Sequence, residues 1–376
     1  MNILLVPNSF KECADSITVS NLLNQYLSPH YNTIIKPISD GGDGFLNVCK
    51  FYFDLELIEY KISTPYDESI IKCYGGLDRT NKTLYIESAN VLGLKVIPDE
   101  KRHPLLLSSK GLGDLMIRVK KDIEKKKYDI NKIIIGIGGT GTVDMGLGAC
   151  SRFGLRLVDI FNKPMKIIPG NFYKTGRIEW EKPDLPFELE IIVDVNNPLI
   201  GYEGAAKVFG KQKGSTGGEV EVIELGFNKL INIFYNKGLL GSFQPLSGAG
   251  GGIPAGFKIF FGSSIKTGEF FIKNDLGIQT LSDNIDAVIT GEGSFDSQSF
   301  SGKGAGVILD IFQKKKIPVF LCCGRIDGSI QFAKNIYPIE LGRYFNRSTE
   351  AIERFEESIK FACEEIIEKL KDYKEI

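Results

Sequence analysis

Carboxylates, lysines and glycines gather at five places in this chain, each where a short apolar run ends. The clearest is Ile133-Ile134-Ile135-Gly136-Ile137-Gly138-Gly139-Thr140-Gly141-Thr142-Val143-Asp144. The β-branched run predicts a buried strand. The glycines after it let bare backbone N–H groups face a phosphate. The same grammar recurs in Pro7-Asn8-Ser9-Phe10-Lys11 and in Ser39-Asp40-Gly41-Gly42-Asp43-Gly44. It recurs again in Val193-Asp194-Val195-Asn196-Asn197-Pro198-Leu199, with Phe209-Gly210-Lys211-Gln212-Lys213-Gly214 downstream. The fifth case is Thr290-Gly291-Glu292-Gly293-Ser294-Phe295-Asp296, followed by Ser301-Gly302-Lys303-Gly304. Singly, each loop also reads as an ordinary turn. Together they are expected to converge on one cleft, because open α/β sheets bind ligands beyond the carboxyl ends of their strands.

The two histidines, His30 and His103, have no partner at zinc-ligand spacing, so acid–base work falls to carboxylates. Lysines, N–H groups and a hard cation then stabilise charge. That division of labour fits phosphoryl transfer, with Mg²⁺ neutralising charge and an Asp accepting the hydroxyl proton. A P-loop ending in Gly-Lys-Ser/Thr is absent, as is a His-Arg-Asp catalytic loop. One competing pattern exists. Gly136, Gly138 and Gly141 match G-x-G-x-x-G, and Asp159 ends a candidate strand, Leu155–Val158. That spacing describes a NAD-dependent oxidoreductase using Gly136–Gly141.

The elements that must position these loops alternate short β-rich runs with amphipathic stretches, the signature of an α/β protein with a largely parallel sheet. Strands are expected at Ile3–Pro7, Thr33–Ile38, Ile70–Tyr74, Thr83–Glu87, Ile133–Ile137, Glu190–Val195, Ala287–Thr290 and Pro318–Cys322. Helices are expected at Ser16–Leu27, from Gly42 to Phe51, and at Leu112–Lys125, Glu219–Tyr235, Gly304–Phe312 and Ile352–Leu370, with Ser16 as a cap for the first. At 376 residues the chain calls for two domains. Its 46 basic and 47 acidic residues lack the basic excess of a nucleic-acid surface. No apolar run reaches the length of a membrane span, and Met1–Val6 reads as a first strand rather than a signal peptide. Seven scattered cysteines without a CxxC suggest free thiols in a reducing cytoplasm.

The order of these motifs resembles the bacterial two-domain glycerate kinases, nearly end to end. Val6–Lys11 is similar to the family's "APDSFK", and Asp40–Gly44 to its "DGGEGT". Ile86–Ala89 with Gly93-Leu94 resembles "IEMA…GL", and Gly136–Asp144 resembles "GIGGSATNDGG". Asp194–Leu199 with Gly204–Ala206 and Phe209–Gly214 resembles "DVxNPLxGxxGAAxxFGPQKG". Gly291–Gln298 resembles "GEGRIDSQT", and Gly302-Lys303 the "GK" that follows.

The resemblance implies two α/β domains. One is flavodoxin-like (Rossmann-like) and built from both chain ends, 1–85 plus 286–376. The other, 86–285, is inserted and carries a mixed or parallel sheet, with the active site in the cleft between them. It implies transfer of the γ-phosphoryl of ATP to a hydroxyl of D-glycerate. The chain departs from the pattern at Asn8 for an Asp, Val143 for an Asn, Ser294 for an Arg, Gly304-Ala305 for Val-Pro, and Cys322–Arg325 at a strand end. Serine cannot replace an arginine fork on a carboxylate, and Arg325 is available as a substitute. Asn8 and Ser294 also leave open a catalytically inactive ligand-binding relative.

The expected catalytic set is Asp194, as general base or metal-orienting carboxylate, with Asp296 and Lys11. Asp194 and Asp296 are the expected carboxylates for Mg²⁺. Gly138, Gly139, Thr140, Gly141, Lys213, Gly291 and Gly293 are expected to hold ATP. Ser9, Asp40, Gly41, Gly42 and Asn197 are expected on the substrate, glycerate or a related hydroxy acid. No nucleic-acid or membrane partner is expected, and the chain is expected as a monomer or homodimer.

Overall fold

The computed structural model describes the chain except for residues 12, 68, 195–196, 242–244, 282–283, 298, 300–301, 346, 348–349 and 374–376. Val195, Asn196, Gln298 and Ser301, parts of the expected loops, therefore lie outside the described residues. The strands run, in chain order, β1 Asn2–Pro7, β2 Asn32–Ile35, β3 Leu55–Ser63, β4 Ile70–Asp78, β5 Thr83–Glu87, β6 Lys132–Ile137, β7 Arg156–Asp159, β8 Pro164–Met165, β9 Thr175–Glu179, β10 Glu188–Val193, β11 Ser264–Thr267, β12 Ala287–Phe295, β13 Val319–Ile326 and β14 Ile336–Glu340. Two compact units result, Met1–Tyr52 with Thr267–Ile376, and Phe53–Lys266.

In the first unit the sheet order is β14-β13-β12-β1-β2, with every neighbouring pair parallel. Counted within the unit this is the 2-1-3-4-5 order of flavodoxin-like folds. The Ile3–Val6 run is completely buried, as a strand covered on both faces requires. Helices Ser16–Leu27 and Phe355–Tyr373 share the apolar core beside the sheet. The first is capped by Asp15, whose carboxylate accepts from Thr18 N at 2.8 Å, and not by Ser16. Asp15 has the extended backbone that an N-cap needs, whereas Ser16 is already in the helix.

The second unit has a six-stranded mixed sheet, β11-β10-β6-β5-β4-β3. Strands β5, β6 and β10 are parallel, and β3 and β4 add antiparallel at the edge. A separate antiparallel sheet, β8-β7-β9, completes it. Ile133, Ile135 and Ile137 anchor the core, each burial worth about 1.5–3 kcal/mol. The boundaries differ from the expected 85/86 and 285/286. Strands β3 and β4 reach the main sheet through β5, so they belong to the second unit. Gly268 packs on Asp40 so closely that a Cβ would lie 2.5 Å from its carbonyl oxygen, and this holds the segment after β11 in the first unit.

Candidate active site

In the second unit the polypeptide leaves β6 into the glycine loop. Gly138 N donates to Ser88 Oγ at 3.3 Å and Gly141 N to the Leu92 carbonyl at 2.7 Å, so both N–H groups are spent within the protein. Gly141 is needed for packing, since a Cβ there would sit 2.5 Å from Ile97 Cδ1. Gly139, exposed with φ +61°, is left at the surface of the loop, and Thr140 beside it is buried. Asp144 closes the loop. Its buried carboxylate accepts from Ser109 N at 2.7 Å, Ser109 Oγ at 2.8 Å, and the N–H groups of Gly146 and Gly148, both at 3.1 Å. Burial still holds its pKa above the usual carboxylate value, against these four donors.

Lys213 lies under the same loop at 7% exposure. Its ammonium donates to the Thr142 carbonyl at 2.8 Å and to Thr140 Oγ1 at 3.3 Å. An ammonium has three donors, and two of them hold the loop. Burial pushes its pKa down to about 8, while the carboxylates of Asp194 and Asp144 pull it back up. Asp194 itself stands half-buried directly after β10. Asn197, expected on substrate, instead ties its own loop together: its amide donates to the Glu203 carbonyl at 3.2 Å, and its carbonyl accepts from Gly248 N at 2.8 Å.

The first unit builds a different cluster at the point where its strand order reverses, between β1 and β12. Pro7 pairs with Gly291, and Asn8 N donates to the Gly291 carbonyl at 2.9 Å, which brings Asn8 alongside Glu292. Asn8 is buried; its amide donates to Asp40 Oδ2 at 3.3 Å, and its Oδ1 accepts from Ser9 N at 2.9 Å. Asp40 also accepts from Gly42 N at 3.4 Å, and Gly41 N donates to Ser39 Oγ at 3.3 Å, so the turn chemistry and the cluster coexist. Burial raises the Glu292 pKa to about 7. Ser299 and Lys303 oppose that rise, and Asp40 and Asp296 add to it. Asp296 is half-buried and its N–H donates to Ser299 Oγ at 3.3 Å. Gly291 is required by packing, because a Cβ would lie 1.8 Å from the Cys322 carbonyl oxygen. Gly293 abuts the backbone of Lys11, whose side chain is exposed.

The dinucleotide reading fails on context. After Gly141 the chain forms only the short helix Leu147–Ser151, and β7 joins the small antiparallel sheet instead of lying parallel to β6. Asp159 is consumed by its own turn, accepting from Phe161 N and Lys163 N, both at 2.8 Å. Residues that sequence reasoning did not select are Glu292, Asp144, Ser109 and Ser299. The available signal for Glu292 was an acid flanked by glycines at the end of a strand.

Comparison with known proteins decides the family. The glycerate kinase family model matches residues 3–371. A glycerate kinase of Halalkalibacterium halodurans is 30% identical over 86% of this chain and 85% of its own. One from Haemophilus influenzae is 31% identical over 81% and 80%. A crystal structure of a protein assigned as glycerate kinase 2 in Salmonella typhimurium LT2 superposes with a TM-score of 0.77 at 25% identity, covering all of both chains.

The chain belongs to the glycerate kinase family. It is a phosphotransferase acting on glycerate, and membership in a kinase family implies ATP as donor. Within the glycerate kinase fold the departures now have surroundings. Ser294 in β12 is paired in register with Arg325 of β13, so a guanidinium stands in the next strand beside the missing one. Among the described residues no helix is long and apolar enough to cross a membrane, and all seven cysteines stand outside disulfides.

Mg²⁺ typically keeps one or two protein carboxylates and takes its remaining ligands from phosphates and water. Among the described residues no three His, Cys, Asp or Glu side chains gather as a cation cage. The half-buried carboxylate of Asp194, next to a buried ammonium, fits an ion carried in on a nucleotide rather than one held by protein alone.

Proposed function

We propose that this member of the family moves the γ-phosphoryl of ATP to a hydroxyl of D-glycerate, with Lys213 and the Gly138–Gly141 loop on the phosphates. The observation that carries this reading is the buried Lys213 ammonium, which spends two of its three donors on the loop; the third serves an anion. Gly139 and Thr140 offer N–H groups beside it, and such groups hold phosphate without a side chain. Asp194 is the second unit's carboxylate for Mg²⁺. When bound, that ion neutralises charge on the transferring phosphoryl group.

Ser9, Asp40, Gly41 and Gly42 serve glycerate, whose hydroxyls need acceptors and donors of this kind. Lys11 and Arg325 serve its carboxylate, because both are exposed cations near the first-unit cluster. Asn197 supports its loop. The thiols fit a reducing cytoplasm, and the even charge balance fits a small-molecule enzyme without a nucleic-acid partner. The protein works as a monomer or homodimer.

A coupled ADP-release assay over a panel of hydroxy acids with Mg²⁺ tests the reading. Release with D-glycerate far above the no-acceptor rate supports it. Equal rates with and without glycerate contradict it.

A further inference from the structure

The first-unit cluster contains one group that neither the phosphate loop nor the fold explains. Glu292 Oε1 is shut off from solvent and, among the described residues, has no hydrogen-bond partner. An acceptor left in that state costs stability, and native proteins retain such groups mainly where a ligand or a reaction uses them. Its position is suggestive too. Glu292 is one residue beyond the Pro7–Gly291 pair, at the strand-order reversal where flavodoxin-like sheets bind their ligands.

The backbone packs closely on this carboxyl group. Gly304 opens the helix Gly304–Phe312 with φ +33°. A Cβ there would lie 2.3 Å from Asn8 Nδ2 and 2.9 Å from Glu292 Oε2, so only glycine lets the helix start approach the amide and the carboxyl this closely. Asn8 is in turn fixed by Asp40. An amide and two carboxylates are gathered here, and these groups are partners for the hydroxyls of a small polyol acid.

Resting on the glycerate-phosphorylating reading, we propose that Glu292 accepts the proton from the hydroxyl that is phosphorylated. The substrate O–H bond breaks and its proton goes to the Glu292 carboxylate. The freed lone pair on that oxygen forms the bond to the γ-phosphorus of ATP. The bond from that phosphorus to the β,γ-bridging oxygen breaks, and its electrons leave on ADP. Glu292 then passes the proton to water.

The charged and titratable groups facing Glu292 are consistent with a base that works near neutrality. Burial lifts its pKa to about 7, Ser299 and Lys303 restrain it, and Asp40 and Asp296 push it further up. From the adjacent β13, Cys323 lies beside it with a thiol held well above its ordinary value, mainly by burial, and so stays neutral. A base poised near the working pH is the most effective one.

The test is the pH dependence of kcat for the wild type, Glu292→Gln and Glu292→Asp, with ATP, Mg²⁺ and D-glycerate. The wild type should lose activity on the acid side with an apparent pKa near 7. E292Q should lower kcat by about 100-fold or more, change KM for glycerate far less, and abolish the acid limb. E292D should recover part of the rate. An E292Q enzyme that keeps kcat within about threefold of wild type, or keeps the acid limb, overturns the proposal while leaving glycerate phosphorylation standing. If E292Q does not fold, a wild-type kcat that is flat from about pH 6 to 8.5 overturns it equally. Wild-type protein with no glycerate-dependent turnover overturns the parent reading, and this one with it.

Discussion

Lys213 Nζ donates to the Thr142 carbonyl oxygen at 2.8 Å, so a single buried ammonium fixes the loop that follows the central strand of the second unit. Lys213→Met removes that tie and the ligand-facing donor together. It should raise KM for ATP at least tenfold, the equivalent of about 1.4 kcal/mol. In the wild type, kcat/KM for ATP should fall as pH rises through about 8, where the ammonium loses its charge. The folded pKa lies below the ordinary lysine value, so the unfolded chain binds more protons above about pH 8. Stability contributed at this position therefore rises with pH across that window. Melting curves of wild type and K213M from pH 7 to 9.5 should diverge in the wild type's favour.

Asp194→Asn keeps the shape of the side chain and removes its charge. It should reduce kcat by two or more orders of magnitude and raise the Mg²⁺ concentration needed for half-maximal rate. Titrating Mg²⁺ at saturating ATP and glycerate measures both. Near-normal turnover would remove Asp194 from the metal role.

The fold was legible where local pattern and final environment agree. The strand Thr83–Glu87 and the helix Gly304–Phe312 begin and end where the residues predict. Strand β3 was not read, because its burial follows the pleat only in its second half and the adjacent apolar pair Leu57-Ile58 breaks the period of two. Helix Ala249–Phe261 was missed because Gly250, Gly251 and Gly252 all have positive φ and Pro254 follows them, which reads as loop.

The phosphate loop was legible as a glycine cluster, but the duty of each glycine was not. Gly141 and Gly291 answer to Ile97 and to the Cys322 carbonyl, contacts far away in sequence. Glu292 was hidden for the same reason. Its neighbours are Asn8, Ser299 and Gly304, which only the folded chain brings together.

Asp144 braces the loop with four accepted hydrogen bonds. Asp144→Asn turns one acceptor into a donor facing donors. The expected cost is about 1–3 kcal/mol, seen as a melting temperature lower by roughly 3–8 °C. Activity per folded molecule should fall as well, because the loop is released. An unchanged melting temperature would contradict the bracing role.

Gly304→Ala places a Cβ where Asn8 Nδ2 and Glu292 Oε2 now approach. Asn8 must then move and lose Asp40. KM for glycerate should rise by about tenfold or more, on the scale of one lost charge-assisted hydrogen bond. KM for ATP should move much less. Steady-state kinetics with each substrate varied separately distinguishes the two.

Phosphorus NMR of the purified protein with ATP, Mg²⁺ and D-glycerate tests the central claim most directly, because it sees the product itself. A new phosphomonoester resonance should grow in step with ADP and vanish when glycerate is left out. ADP accompanied only by inorganic phosphate, or a spectrum indifferent to glycerate, would contradict it.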